Sequence, residues 1–285
     1  MKVGITGANG FIGSHVLHYL QHKIKPEILE VFDKNKYNLL NFESLKNFVH
    51  DKDVIFHLAG KNIANTTDFL NVNALGTINI LEAIRKFSSY NPKIIFSSSF
   101  HVYGLSKTKK RFKENDRCNP SNMFGLSKKF GEDAILYFNE NYGIKNVILR
   151  LSNVYGSHCK PYYNSVIATF IDLSSKGLEL NIKGDGTQVR NFIYIEDVVE
   201  SFIKALNFDR NNTEIFNICT SETTSLNELI EILGKIMKKK AKIKYIDRSD
   251  MKTYLIGNPN KAERLLGFKT TTNLEEGLIK TLKGS

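Results

Sequence analysis

Apolar positions in this chain follow two rhythms that take turns. Short unbroken apolar runs, at 2–6, 28–32, 53–58, 93–97 and 146–151, read as strands covered on both faces. Between them lie stretches in which apolar residues recur every three or four positions; in 11–22, Ile12, Val16, Leu17 and Leu20 fall on one side of a helix. That spacing predicts helices over 11–22, 42–49, about 67–87 and 124–142, the third with no proline inside it. Strand and helix in strict alternation predict an α/β fold, a doubly wound parallel sheet with right-handed crossovers. Beyond about residue 156 the rhythm loosens. Helices are expected over 165–176 and 225–238, a turn over 184–187, and a strand running into a helix over 192–206. No linker or internal repeat divides the chain.

Composition narrows the class without naming a function. At 285 residues the chain is long enough for a large two-part unit with a buried core. Its 41% hydrophobic and 24% charged content suits a soluble globular protein, and no apolar run is long enough to cross a bilayer. Met1-Lys2 leads straight into a strand, so no secretory signal is expected. Cys118, Cys159 and Cys219 are scattered and odd in number, which argues against a disulfide framework or a zinc site and fits a reducing cytoplasm. A net charge of +11 raises the question of nucleic acid, but the lysine clusters at 107–113 and 235–244 lack interleaved aromatic residues. A positive field serving an anionic substrate is the preferred reading.

The chemistry begins at the first strand–helix junction. Residues 6–13 read Thr-Gly-Ala-Asn-Gly-Phe-Ile-Gly. Gly7 permits the tight turn, Gly10 lets the backbone approach a pyrophosphate, and Gly13 allows close packing of helix on strand. The helix N-terminus then offers free N–H groups to phosphates. Asp33 stands 20 residues beyond Gly13, at the end of the next strand, where a carboxylate takes ribose hydroxyls. It favours NAD over NADP by repelling a 2′-phosphate, a preference that Lys34 and Lys36 soften. The organisation expected is an NAD-binding Rossmann unit over 1–156, to which 190–206 returns, and a smaller, mainly substrate-binding α/β unit over 157–285.

Over nearly its whole length the chain resembles the extended short-chain dehydrogenase/reductases of the nucleotide-sugar epimerase/dehydratase group. The resemblance is carried by TGANGFIG (6–13), DVIFHLAG (53–60), NVNALGTINILEAIRK (71–86), SSSFHVYG (97–104), RLSNVYG (150–156), GDGTQVRNFIYIEDV (184–198), FNICTSETTSL (216–226) and KAERLLGF (261–268). Spacing around the catalytic strand is nearest to that of the UDP-galactose 4-epimerases. The resemblance implies cofactor contacts from Gly7, Asn9, Gly10, Phe11, Ile12, Gly13, Asp33, Asn38, Leu39, Leu58, Ala59, Gly60, Asn73, Ser97 and Lys128. Asn38 replaces the aspartate that commonly meets the adenine amino group, and Asn258 replaces an aspartate at a structural position. The substrate implied is a nucleotide-diphosphate sugar, UDP or dTDP in preference to GDP. Its diphosphate would be held by Asn153, Arg190 and Arg248. Asp197 is expected to anchor the following helix. A homodimer is implied, built through the helices at about 67–87 and 124–142.

One position breaks the pattern. In this family a serine, a tyrosine and a lysine surround the sugar's 4-hydroxyl, and the tyrosine is the base when hydride leaves C4. Ser99 and Lys128 match the serine and lysine; Phe124 falls on the tyrosine. Phenylalanine accepts no proton. Three readings stand: an engineered Tyr→Phe change that traps substrate, which is slightly preferred because every other turnover motif is present; a natural phenylalanine with another base such as His101; or a binder without turnover. For His101 itself, packing at the strand end is preferred over acid–base work. Phe100-His101 also replaces the acids that dehydratases of the group carry there, which disfavours a standard dehydratase and leaves an atypical dehydratase or 4-keto reductase as the enzyme alternative.

Overall fold

The unbroken apolar runs become strands of one parallel sheet, because each is covered on both faces by the helices that join them. In the computed structural model, which describes residues 1–163, 165–246 and 252–284, the first part runs β1 (Lys2–Thr6), α1 (Phe11–Tyr19), β2 (Ile28–Val31), α2 (Lys46–Val49), β3 (Val54–His57), α3 (Thr66–Phe69), α4 (Gly76–Phe87), β4 (Lys93–Ser99), β5 (Arg111–Phe112), α5 (Met123–Tyr142), β6 (Asn146–Leu151) and β7 (Asn153–Tyr155). The rest runs α6 (Val166–Ser175), β8 (Glu179–Lys183), β9 (Val189–Arg190), β10 (Phe192–Tyr194), α7 (Ile195–Asn207), β11 (Glu214–Ile218), β12 (Thr224–Ser225), α8 (Leu226–Met237), β13 (Lys242–Ile246), β14 (Tyr254–Gly257) and α9 (Leu274–Lys283).

Six strands pair in the order β11-β6-β4-β3-β1-β2, every neighbour parallel. The chain reverses direction across the sheet after β2, so a crevice opens at the carboxyl ends of β1 and β3, where such sheets take their ligands. Val3, Ile5, Leu149, Phe202, Leu229 and Leu278 belong to one buried core on one face, and Phe48, Ile80, Phe96 and Ile135 to a second on the other. The first core includes residues from both ends of the sequence. β11 beyond residue 156 completes the sheet, and α7 lies against α1.

Several boundaries differ from the periodicity for local reasons. β4 continues two residues beyond the expected 97, because 98 and 99 keep their partners on β6. The 67–87 helix is one rod interrupted by a π-helical turn at Leu70–Leu75, a feature common at functional sites; it carries Asn73. The 11–22 helix closes through a π turn at Leu20–Ile24 with Lys25 left-handed at φ 49°. Helix 42–49 opens as a 3₁₀ turn. Ser225 caps α8 in a reciprocal box with Glu228, so the expected 225–238 included both caps. The Asp197 carboxylate accepts from the backbones of Thr271 and Thr272 and from the Thr271 hydroxyl (2.9, 3.2 and 2.8 Å), anchoring the C-terminal segment to the start of α7. Asn258 accepts from Asn260 N–H at 2.9 Å in a local turn.

One buried imidazole ties β1, β3 and the long helical rod together. Thr77 gives its hydroxyl hydrogen to the Asn73 carbonyl (2.7 Å), so its oxygen accepts from His57 Nε2 at 3.0 Å. His57 Nδ1 therefore accepts from the Thr6 hydroxyl at 2.8 Å, and the Thr6 oxygen takes the Ala59 N–H at 3.1 Å. Burial, with the Lys128 charge adding to it, pushes the His57 pKa down from 6.5 to about 3, so the ring is neutral in the fold. The unfolded chain binds a proton there that the folded chain refuses. Stability is thus full above pH 6.5 and falls as the pH drops below it. Denaturant melts between pH 7.5 and 5 should show a loss of about 1.4 kcal/mol per pH unit from this residue below about pH 6, a component absent from a His57→Asn variant.

Candidate active site

At the nucleotide end the glycines are fixed by space. Gly7 has φ +74°, and a Cβ on it would lie 2.5 Å from the Ala59 nitrogen; a Cβ on Gly13 would lie 2.0 Å from the Gly7 oxygen. The turn therefore sits tight against the end of β3, and α1 starts on top of it. A Cβ on Gly10 would meet only the Gly7 oxygen, at 3.1 Å, and has open space otherwise. No side chain caps α1, so its first N–H groups face the crevice. An open glycine beside uncapped donors fits a pyrophosphate. Asp33, half-buried beyond the end of β2, accepts from Asn35 N–H at 2.9 Å. Asn38 uses its side-chain oxygen on Leu40 N–H (2.9 Å), and the Leu39 carbonyl accepts from Asn79 (2.7 Å). Asn9 is exposed on the turn.

Beyond the turn a cavity of about 570 Å³ continues past Phe11, Ile12, Leu58 and Gly60 to Ser97, Ser99, His101, Phe124, Lys128 and Asn153. Lys128, on α5, is nearly fully buried and donates to the Ser97 carbonyl at 2.7 Å. Burial pushes its pKa down to about 8, opposed by the charge of Glu132, so the ammonium persists at neutral pH. A Cβ on Gly60 would lie 3.1 Å from that ammonium and 3.2 Å from Asn73 Oδ1, so a side chain there would crowd both. Asn73 braces the wall: its oxygen accepts from Lys61 N–H at 2.8 Å, and its nitrogen donates to the Lys61 carbonyl and to Ser127 Oγ, each at 2.9 Å. Ser99 ends β4, and its oxygen accepts from the His101 N–H at 3.3 Å. The Phe124 ring meets the His101 ring edge-on, centroids 5.5 Å apart. Burial, with Arg190 adding to it, lowers the His101 pKa below its ordinary value.

On the far side, the Asn153 side chain donates to the Asn191 carbonyl at 3.0 Å. Arg190 donates to the Val189 and Thr253 carbonyls (2.8 and 3.0 Å) and to the Thr253 hydroxyl (3.3 Å). Burial pushes its pKa down to about 10, and among the described residues no carboxylate pairs with it. A desolvated guanidinium with no anion beside it is a place for one. Arg248 lies outside the described residues.

Sequence reasoning missed two features. Asn122 caps α5, accepting from Gly125 N–H at 2.8 Å, while its amide nitrogen lies 3.1 Å from His101 Nδ1. An asparagine three residues before Gly125 at a helix start was a readable cap signal. Behind β4, Arg150 makes a two-bond contact with the Glu132 carboxylate (2.9 and 2.8 Å), which also accepts from Ser98. The Arg150 guanidinium further donates to the Tyr103 hydroxyl at 2.8 Å. No periodicity announces a pair made between a helix and a neighbouring strand. Among the described residues no group of three or more side chains suits a metal, and no helix is long and apolar enough to cross a membrane.

Residues 3–219 match the NAD dependent epimerase/dehydratase family. The chain belongs to that family of NAD-dependent enzymes. It is 36% identical to the putative UDP-glucose 4-epimerase of Methanocaldococcus jannaschii, over 96% of this chain and 95% of that one. Its fold is similar to that of UDP-glucose 4-epimerase from Thermotoga maritima with UDP-glucose, at TM-score 0.87 and 29% identity over 100% of this chain and 98% of that one. It is similar as well to a Tyr→Phe mutant of UDP-glucuronic acid 4-epimerase from Bacillus cereus, solved with UDP-4-deoxy-4-fluoro-glucuronic acid and NAD, at TM-score 0.86 and 26% identity over 100% and 98% of the two chains. The resemblance read from the motifs is thus established at the level of family, fold and cofactor.

The Glu132–Arg150 pair ties α5 to β6, and Ser98 on the same carboxylate ties in β4. Glu132→Ala leaves a buried guanidinium unpaired and should cost about 3–5 kcal/mol in urea unfolding. Joint replacement by Glu132→Leu and Arg150→Met should recover most of that loss.

Proposed function

We propose that this chain binds NAD along the uncapped end of α1 and a UDP- or dTDP-sugar across the cavity, and acts at the sugar's C4 by hydride transfer. The supporting observation is that Ser99, Phe124 and Lys128 line the same cavity as the glycine turn. NAD, when bound, supplies the hydride acceptor for such chemistry. Gly7, Gly10 and Gly13 would hold its pyrophosphate, Asp33 its ribose, and Lys128 with Gly60 the region of its nicotinamide ribose. Ser99 would hold the sugar's 4-oxygen; Asn153, Arg190 and Arg248 the diphosphate. The family's tyrosine position is Phe124, so no phenolate takes the hydroxyl proton. That absence supports a second reading, a nucleotide-sugar-binding protein with little turnover.

The two readings separate on one substitution. The protein and its Phe124→Tyr variant should both purify with or take up NAD. With a panel of UDP- and dTDP-sugars read by chromatography, the tyrosine form should interconvert at least one C4 epimer pair roughly 10²-fold faster than the parent or more. Turnover by neither form on any sugar sinks the enzyme reading.

We also infer that two copies pair through α4 and α5. Leu75 and Ile78 on one helical rod and Phe130 and Tyr137 on the other are exposed, Tyr137 two turns beyond Phe130 on the same face. Light scattering should give twice the 32.4 kDa chain mass, and Phe130→Glu with Tyr137→Glu should return the monomer. A monomeric parent rejects the pairing.

A further inference from the structure

We propose that His101 faces the substrate as a neutral imidazole with its hydrogen on Nε2, a donor to the reacting sugar oxygen and not a base, and that the site therefore prefers a 4-keto nucleotide sugar to its 4-hydroxy counterpart. This rests on the nucleotide-sugar reading above and deepens it.

The argument starts at the cap of α5. Asn122 Oδ1 accepts from Gly125 N–H at 2.8 Å. With the amide oxygen committed there, the –NH2 group lies on the other side, 3.1 Å from His101 Nδ1. A donor in that place leaves Nδ1 one role, as acceptor, and the hydrogen of the neutral ring goes to Nε2. The cap cannot drift from the ring. A Cβ on Gly125 would lie 2.3 Å from the His101 carbonyl oxygen, so the first turn of α5 is seated directly on residue 101.

The rest of the surroundings hold the same state. An imidazolium would set an Nδ1–H against the Asn122 –NH2 group, and burial and the Arg190 charge both oppose it. Phe124 covers one side of the ring edge-on and offers no hydrogen-bonding atom. Among the described residues Nε2 has no hydrogen-bond partner, while His101 lines the cavity. Ser99 already accepts from the His101 backbone, so its hydroxyl hydrogen is free to point elsewhere.

A sugar oxygen beside these groups meets two donors, Ser99 O–H and His101 Nε2–H. Neither His101 nor Phe124 takes a proton from it. A carbonyl oxygen accepts both bonds and leaves no hydrogen unpaired; a hydroxyl brings a hydrogen that His101 and Phe124 do not accept and that Ser99 takes only by giving up its own bond to that oxygen. A neutral imidazole donor beside a carbonyl polarises it without being charged.

The first test needs no substrate. Long-range proton–nitrogen correlation spectra of the full chain carrying ¹⁵N-histidine, with His101 assigned by loss in His101→Asn, report which ring nitrogen bears hydrogen. At pH 7.5 we expect Nε2 protonated. Asn122→Asp keeps a good helix cap but presents an acceptor, so the hydrogen should move to Nδ1. The second test compares binding of a dTDP-4-keto-6-deoxy sugar with its 4-hydroxy counterpart. The parent should prefer the keto form roughly tenfold, and Asn122→Asp should lose that preference. An Nδ1-protonated His101 in the parent overturns the proposal, as does equal binding of the two sugars. Failure to bind any nucleotide sugar overturns the preference together with the functional reading, whereas a reversed tautomer in a protein that binds sugars overturns this proposal alone.

Discussion

A lysine ammonium held in the protein interior against one backbone carbonyl organises the working end of this molecule. Lys128 reaches from α5 to the Ser97 oxygen, and among the described residues no carboxylate forms an ion pair with it. Such a charge is costly to bury unless its neighbours are fixed. The neighbours are fixed by polar atoms at every step: Asn73 locks Lys61 and Ser127, Ser127 bonds the Phe124 carbonyl, and the Glu132–Arg150 pair clamps α5 to β4 and β6.

The same rigidity gives the site its unusual hydrogen-bonding character. Phe124 presents an apolar ring beside His101, and His101 in turn meets the side chain that caps α5. Ser99, His101 and the Lys128 ammonium line one cavity, and the desolvated Arg190 guanidinium adds positive charge near His101. Such a field holds oxygen atoms that are anionic or becoming so, whether diphosphate or carbonyl. It gives little help to a group that must lose a proton.

The glycine turn shows how far local reasoning reaches. Gly7, Gly10 and Gly13 were assigned separate tasks from spacing alone, and the distances to the Gly7 oxygen and the Ala59 nitrogen give Gly7 and Gly13 steric reasons for being glycine. Caps are written as locally: Ser225 with Glu228 three residues on marks the start of α8, and Asn122 three residues before Gly125 marks that of α5. Asn38 shows the limit. The resemblance implies an adenine contact through its carbonyl; the fold adds that this oxygen also accepts from Leu40 N–H, an interaction set by backbone geometry that the motif does not specify.

By itself, then, the sequence determined the family, the order of strands and helices, and the glycine turn between the first strand and helix. Each is written in a local pattern, because a strand, a helix or a phosphate-binding turn is specified by neighbours within a few positions. Only the tertiary structure decided the hydrogen-bond partners of His57 and of His101, the unpaired state of Arg190 among the described residues, and the clamp from Glu132 to Arg150. Those depend on which side chains meet across elements far apart in the chain. A hydrogen bond has two ends, and sequence pattern gives no account of the second when packing alone brings it near.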